Sequence, residues 1–201
     1  MFIQSFLAGI CISLGGTAFL LIESKVVGAV FFTIGLFTIC TRGYALYTGK
    51  VCYTPDKVHP VDVFCIWLGN FIGCYAAAFI VRMSTLNIDV TALVSRKLSC
   101  SLTELFFSAI LCNICIFIAV DGFKTNDSPL MKCLSLFFGV TVFVICGMEH
   151  SVADMFYLAV SNTFSIQPKE SALVLLTVTV GNAAGGISFR QLDNIRSIAQ
   201  R

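Results

Sequence analysis

The stretch G-M-E-H-S-V-A-D-M-F at Gly147–Phe156 decides how this chain folds. It sets a Glu-His pair between two apolar runs, Leu130–Cys146 and Val152–Ser161. Together these runs exceed one simple bilayer crossing, which takes about 20 mostly apolar residues. Ionisable groups at that depth are costly, and where they persist they mark a functional site. Gly147, Glu149, His150 and Ser151 therefore predict a helix broken at membrane depth. Such a break is tolerated only where protein or a water-filled cavity surrounds it.

Working outward, the 201 residues are 57% hydrophobic and 12% charged, against about 25% charged in a soluble domain. The chain reads as an all-α polytopic membrane protein. Its formal charge of +2 gives no reason to expect a nucleic-acid partner. The ten Cys fall mostly inside apolar runs and read as small buried hydrophobes, not a disulfide framework. Cys112 and Cys115 form a C-x-x-C, but within a predicted span and without a redox context. Met1–Ile22 lacks a basic leading region and reads as a first span, not a cleaved leader. No catalytic or metal-ligating constellation is read, no cofactor is implied, and the expectation is a non-enzyme.

Six spans are predicted: Phe2–Ile22, Val26–Thr41, Val61–Val81, Leu102–Val120, Leu130–Cys146 continuing to Ser161, and Ala172–Phe189. With the N-terminus inside, Lys50, Lys57, Lys124, Lys132, Arg190, Arg196 and Arg201 lie on the inner side. Lys25, Arg82, Arg96, Lys97 and Lys169 lie on the outer side. This bias favours both termini inside. The second span is interrupted like the fifth, by Thr41-Arg42-Gly43-Tyr44-Ala45-Leu46-Tyr47-Thr48-Gly49. Breaks at matching places in two halves point to a transport path in an inverted-repeat fold. The chain thus reads as one transmembrane domain over 1–201, with repeat one at 1–81 and repeat two at 102–189. Small residues in the third and sixth spans suit close helix packing. Asn113 and Asn182 are mid-span amides that either bond broken-helix backbone or face the path.

These residues resemble a known family, the formate/nitrite transporters, which include hydrosulfide channels. Gly147–Phe156 is similar to that family's G-F-E-H-S-x-A-N-M-F, and Gly43–Gly49 to its G-A-[DE]-L-F-T-[SG]. Leu68–Gly73 (L-G-N-F-I-G) and Gly181–Gly186 (G-N-A-A-G-G) resemble its third- and sixth-span motifs. The resemblance implies six transmembrane helices in an aquaporin-like protomer, a homopentamer, and one anion path per protomer. It implies a channel or transporter for small monovalent anions of weak acids: formate, nitrite or hydrosulfide. Its expected home is the bacterial inner membrane, with lipid, protons and the anion as partners. By the same resemblance Leu36, Leu46 and Tyr47 form one constriction, and Phe32 with Phe143 the other. Thr48 lies in the loop breaking the second span, and Lys97 corresponds to the vestibule lysine.

Two departures stand out. The family's acidic residue in the second-span loop is Ala45 here, and the Asn after its Glu-His motif is Asp154. Arg42 adds a charge near the first change, and the expectation is that it pairs with Asp154. The few apolar residues beyond Gly186 suggest a short sixth-span exit. In the mechanism expected, Lys97 concentrates anions at the outer mouth. His150 donates a hydrogen bond or a proton, and Glu149 orients backbone at the break or at a protomer contact. Tyr47, where the family has Phe, adds a hydroxyl that would relax selectivity. Three rival readings differ in what they require. A neutral small-solute channel of aquaporin type needs paired N-P-A tips, which the sequence lacks. A membrane thiol-redox protein needs cysteines at an aqueous edge. A structural subunit needs a blocked slit.

Overall fold

The computed structural model describes residues 1–199, and every regular element in it is helical. In chain order these are α1 (Phe2–Leu21), α2 (Lys25–Arg42), α3 (Tyr47–Val51), α4 (Pro60–Met83) and α5 (Thr91–Ser99). Then follow α6 (Leu102–Thr125), α7 (Pro129–Ile145), α8 (Ser151–Val160), α9 (Thr163–Ile166) and α10 (Pro168–Ala199). Five of them, α1, α2, α4, α6 and α10, are long and apolar enough to cross a membrane, while α7 and α8 are apolar but shorter. Large apolar side chains face outward, among them Phe31, Phe64, Phe79, Phe107 and Phe138. Thr48, Asn70, Asn113 and Asn182 are wholly buried. An apolar shell around a polar interior is what lipid requires, and the chain is an integral membrane protein.

Local chemistry sets the helix ends. Ser24 accepts from the Val27 N–H at the start of α2, and Ser101 and Glu104 form a reciprocal capping box on α6. Pro60 and Pro129 occupy the first turns of α4 and α7, where no backbone N–H is needed. α2 stops at Gly43, whose φ of 70° is left-handed, and the next N–H, of Tyr44, reaches back to the Ile39 carbonyl at 2.9 Å. α7 ends likewise near Gly147, φ 67°, with the Met148 N–H on the Phe143 carbonyl at 2.9 Å. A side chain at either position would meet the usual left-handed penalty, so glycine is what allows each sharp stop.

Packing repeats itself across the two halves. α1 lies against α4, and α6 against α10. A Cβ on Gly73 would come within 2.1 Å of the Phe6 carbonyl oxygen, and one on Gly185 within 2.3 Å of that of Ile110. Backbones this close exclude any larger residue. The short helices cross over: α3 packs on α6 and α10, and α8 on α1 and α4.

The sixth-span exit is not short. α10 runs without a break from Pro168 past Arg190 to Ala199. Arg190 is buried and pairs with Asp56 at 3.1 Å, and Arg196 pairs with Asp193 at 3.2 Å. Loss of hydropathy ends the apolar window there, but hydrogen bonding and these pairs carry the helix on. Arg201, counted with the inner-side cations, lies outside the described residues.

Candidate functional site

Two chain interruptions, Gly43–Leu46 and Cys146–His150, lie at the centre. Each leaves backbone groups without helical partners, and one buried amide closes each. Asn70 Oδ1 accepts from the Tyr47 N–H at 2.8 Å, and its Nδ2 donates to the carbonyls of Ser5 (2.7 Å) and Ala45 (2.9 Å). Asn182 Oδ1 accepts from the Ser151 N–H at 2.9 Å, and its Nδ2 donates to Ala109 (2.9 Å) and Glu149 (3.0 Å). Buried polar backbone demands such partners. Asn182 thus serves the backbone. Asn70 plays the identical part, and its signal was legible: both residues sit in a G-N-x-x-G pattern, Gly69–Gly73 and Gly181–Gly185.

The interruptions meet through side chains. Thr48 Oγ1 lies 3.0 Å from His150 Nε2, both fully buried. His150 Nδ1 accepts from the Ala153 N–H at 3.0 Å and so caps α8. An accepting Nδ1 places the proton of a neutral imidazole on Nε2. Nε2–H then donates to Thr48, whose own hydroxyl hydrogen is left to serve another acceptor.

Two cavities approach this contact. One of about 350 Å³ is lined by Phe32, Phe143, His150, Arg96, Lys97 and Asp154, with others. The second, about 120 Å³, is lined by Leu36, Leu46, Gly49, Cys40, Lys50 and Lys124, with others. Along α2 the first takes in Lys25 and Phe32, and the second Leu36 to Gly43. The cavities are therefore stacked along a helix whose ends are about 27 Å apart at 1.5 Å per residue. That is close to the thickness of a hydrocarbon core. At the first cavity's inner end, Phe143 stacks on His150 (centroids 5.4 Å, planes 13° apart) and meets Phe32 edge-on at 5.9 Å. Tyr47 lines neither cavity; its hydroxyl donates to the Thr179 carbonyl at 3.0 Å. That bond ties α3 to α10. Asn113 lines neither cavity; its Nδ2 is 3.5 Å from Cys52 Sγ.

The charges are arranged otherwise than expected. Lys97, on α5, is buried to 3% exposure and lines the first cavity. Its ammonium donates to Glu149 and lies 2.7 Å from Asp154 Oδ1, off the hydrogen-bond direction, so both Asp154 oxygens lack a hydrogen-bond partner among the described residues. Arg96 adds contacts at 3.3 Å to Glu149 and 3.2 Å to the Gly147 carbonyl. Two cations and two carboxylates make a formally neutral quartet. Asp154 therefore pairs with Lys97, not with Arg42. Arg42 is exposed at the end of α2 and in no ion pair among the described residues. The reason is position: Arg42 closes α2 at the second cavity's end, while Asp154 lines the first. Arg96 was missed because a half-exposed cation on a short helix carries no sequence signal of its partner. The C-x-x-C cysteines are free thiols, with Cys112 fully buried.

The chain resembles known proteins along nearly its whole length. The Formate/nitrite transporter family profile matches residues 1–192. The chain is 26% identical to a probable formate transporter of Methanothermobacter thermautotrophicus, across 93% of this chain and 84% of that one. It is 28% identical to the nitrite transporter NirC of Salmonella typhimurium, across 85% and 70%. A solved structure titled as an FNT family ion channel superposes with TM-score 0.85 at 25% identity, covering 98% of this chain and 89% of that one. A pentameric formate channel with formate bound gives 0.83 at 22%, covering 98% and 96%, and shares the fold. From residue 1 to residue 192, this chain belongs to the formate/nitrite transporter family.

Proposed function

We propose that the chain conducts a small monovalent anion of a weak acid, in the size class of formate, nitrite or hydrosulfide, past the Thr48–His150 contact. One observation carries this: His150 lines the first cavity beside Phe32 and Phe143 and bonds to buried Thr48, whose chain neighbours Leu46 and Gly49 line the second cavity with Leu36. Apolar walls strip hydration, which for a charged solute is costly unless donors replace the lost water. Thr48 and His150 are the donors at hand, and α8 begins immediately after His150 with its positive end. On this reading α1, α2 with α3, α4, α6, α7 with α8, and α10 make six crossings in two inverted repeats. Five protomers assemble as in the related pentameric channel. Lys50, Lys57, Lys124, Lys132, Arg190 and Arg196 favour a cytoplasmic side for the second cavity and both termini, in a bacterial inner membrane.

His150 acts as a hydrogen-bond donor on this reading. A proton shuttle would need the doubly protonated imidazolium, and a proton on Nδ1 would face the Ala153 N–H and break the α8 cap. Proteoliposome uptake of formate, nitrite and hydrosulfide at two pH values tests both points. His150→Asn is expected to keep measurable flux, and His150→Phe to lose it. Flux by His150→Phe at the wild-type rate would end the proposal. Loss of proton-coupled uptake in His150→Asn, with anion flux intact, would restore the shuttle.

A further inference from the structure

The two mouths of this path carry unequal charge. At the first cavity, Arg96 and Lys97 are matched by Glu149 and Asp154, and Lys25 at the rim is the one cation over. At the second cavity, Lys50 and Lys124 both line the wall and no carboxylate does. Neither lysine enters an ion pair among the described residues. Of the nearby acids, Asp121 keeps its charge but lies outside the wall, accepting from the Tyr53 hydroxyl at 2.9 Å, and Asp56 pairs with Arg190, so the wall itself carries only the two lysine charges. Lys124 Nζ rests 4.2 Å from the Tyr53 ring centroid, which holds its charge at the cavity edge.

We propose that Lys50 and Lys124 form the anion-collecting site of the path, at the mouth beyond Leu46, and that Asp154 cancels the corresponding attraction at the Lys97 mouth. This rests on the channel reading above. Two unpaired cations at an apolar-walled mouth raise the local anion concentration and lower that of cations. At the other mouth an Asn in place of Asp154 would leave the quartet one positive charge in excess. The chain therefore offers its anion unequal entrances, and the unequal charge comes from the acid gained at 154 together with the lysine at 50.

Cys40 lines the second cavity and reports its potential without any transport step. The experiment compares rates of modification by an anionic and a cationic methanethiosulfonate, located by peptide mass, on the full chain in nanodiscs. Using the ratio cancels any effect on thiol ionisation. Tyr44→Cys is a second reporter in the same cavity, and Ala92→Cys reports the first cavity. The anionic reagent is expected to win at Cys40 or Tyr44→Cys by about five-fold at physiological salt, and by more at low salt. The ratio should fall toward one in Lys50→Ser/Lys124→Ser. At Ala92→Cys the ratio should be smaller, and it should rise in Asp154→Asn. A ratio at the second cavity that is no larger than at Ala92→Cys, or unmoved by the lysine substitutions, overturns the proposal. Absence of anion flux in the wild-type chain would instead strike the channel reading and leave the labelling result standing.

Discussion

Asn70 receives the Tyr47 N–H at one interruption, and Asn182 receives the Ser151 N–H at the other, with donations to two carbonyls in each case. Both preceding helices stop with a left-handed glycine. Around these equal frames the side chains diverge. The first interruption carries Ala45 and is uncharged within itself. The second carries Glu149, tied to Lys97 and Arg96, with Asp154 four residues beyond His150. The backbone solution is independent of charge: an amide supplies both donor and acceptor and needs no counter-ion. Charge is added on top, and it can be redistributed between the mouths without disturbing the breaks.

Substitutions can break this comparison, beginning with the charge. Glu149→Gln leaves Lys97 and Arg96 with one carboxylate between them and should cost about 3 kcal/mol, as does stranding one partner of a buried pair. Thermal unfolding of the purified protein would register it, and an unchanged midpoint would mean the quartet holds nothing together. Asn70→Ala and Asn182→Ala should each cost about 2 kcal/mol by orphaning buried backbone groups. Their near equality is the sharper test, since a large inequality would separate the two frames. Thr48→Val removes the α3 hydroxyl that bridges to His150 Nε2, and should lower anion flux about ten-fold with little change in unfolding. The smallest effect concerns Asp89, which accepts from the Thr91 N–H at the start of α5. That bond holds its carboxyl below the ordinary 3.8. The stabilisation is complete above pH 3.8 and is lost as pH falls through the lower folded value. Asp89→Asn should therefore speed hydrogen exchange in α5 only slightly at neutral pH, and the difference from wild type should vanish in strong acid.

Much of this architecture was legible in the chain. Gly147-Met148-Glu149-His150 announced a break because neither glycine nor a charged pair belongs in an apolar run. Gly43–Gly49 announced the other. The small residues at Gly73 and Gly185 were readable as close-packing sites, since size alone governs helix approach in lipid. What could not be read was pairing across distance. Lys97 looks like a loop charge until α5 folds over Glu149 and Asp154. Arg42 looks like a partner for Asp154 until the length of α2 carries it to the opposite cavity. Tyr47 shows no partner in the sequence until its hydroxyl finds the Thr179 carbonyl. The Lys97 and Tyr47 contacts reach partners 52 and 132 residues away, which no local pattern encodes.

The Thr48–His150 bond also bears on dwell time. The His150 Nε2–H is already spent on Thr48 Oγ1, 3.0 Å away. On the channel reading, an anion that takes the His150 hydrogen exchanges one hydrogen bond for another and gains little from it, and the Thr48 hydroxyl hydrogen is the one donor of the pair still unspent. Entry is permitted and tight retention is not, the balance that rapid conduction requires. On the channel reading, the contact that greets the anion also hastens its departure, and the wait at the narrowest point is brief by construction.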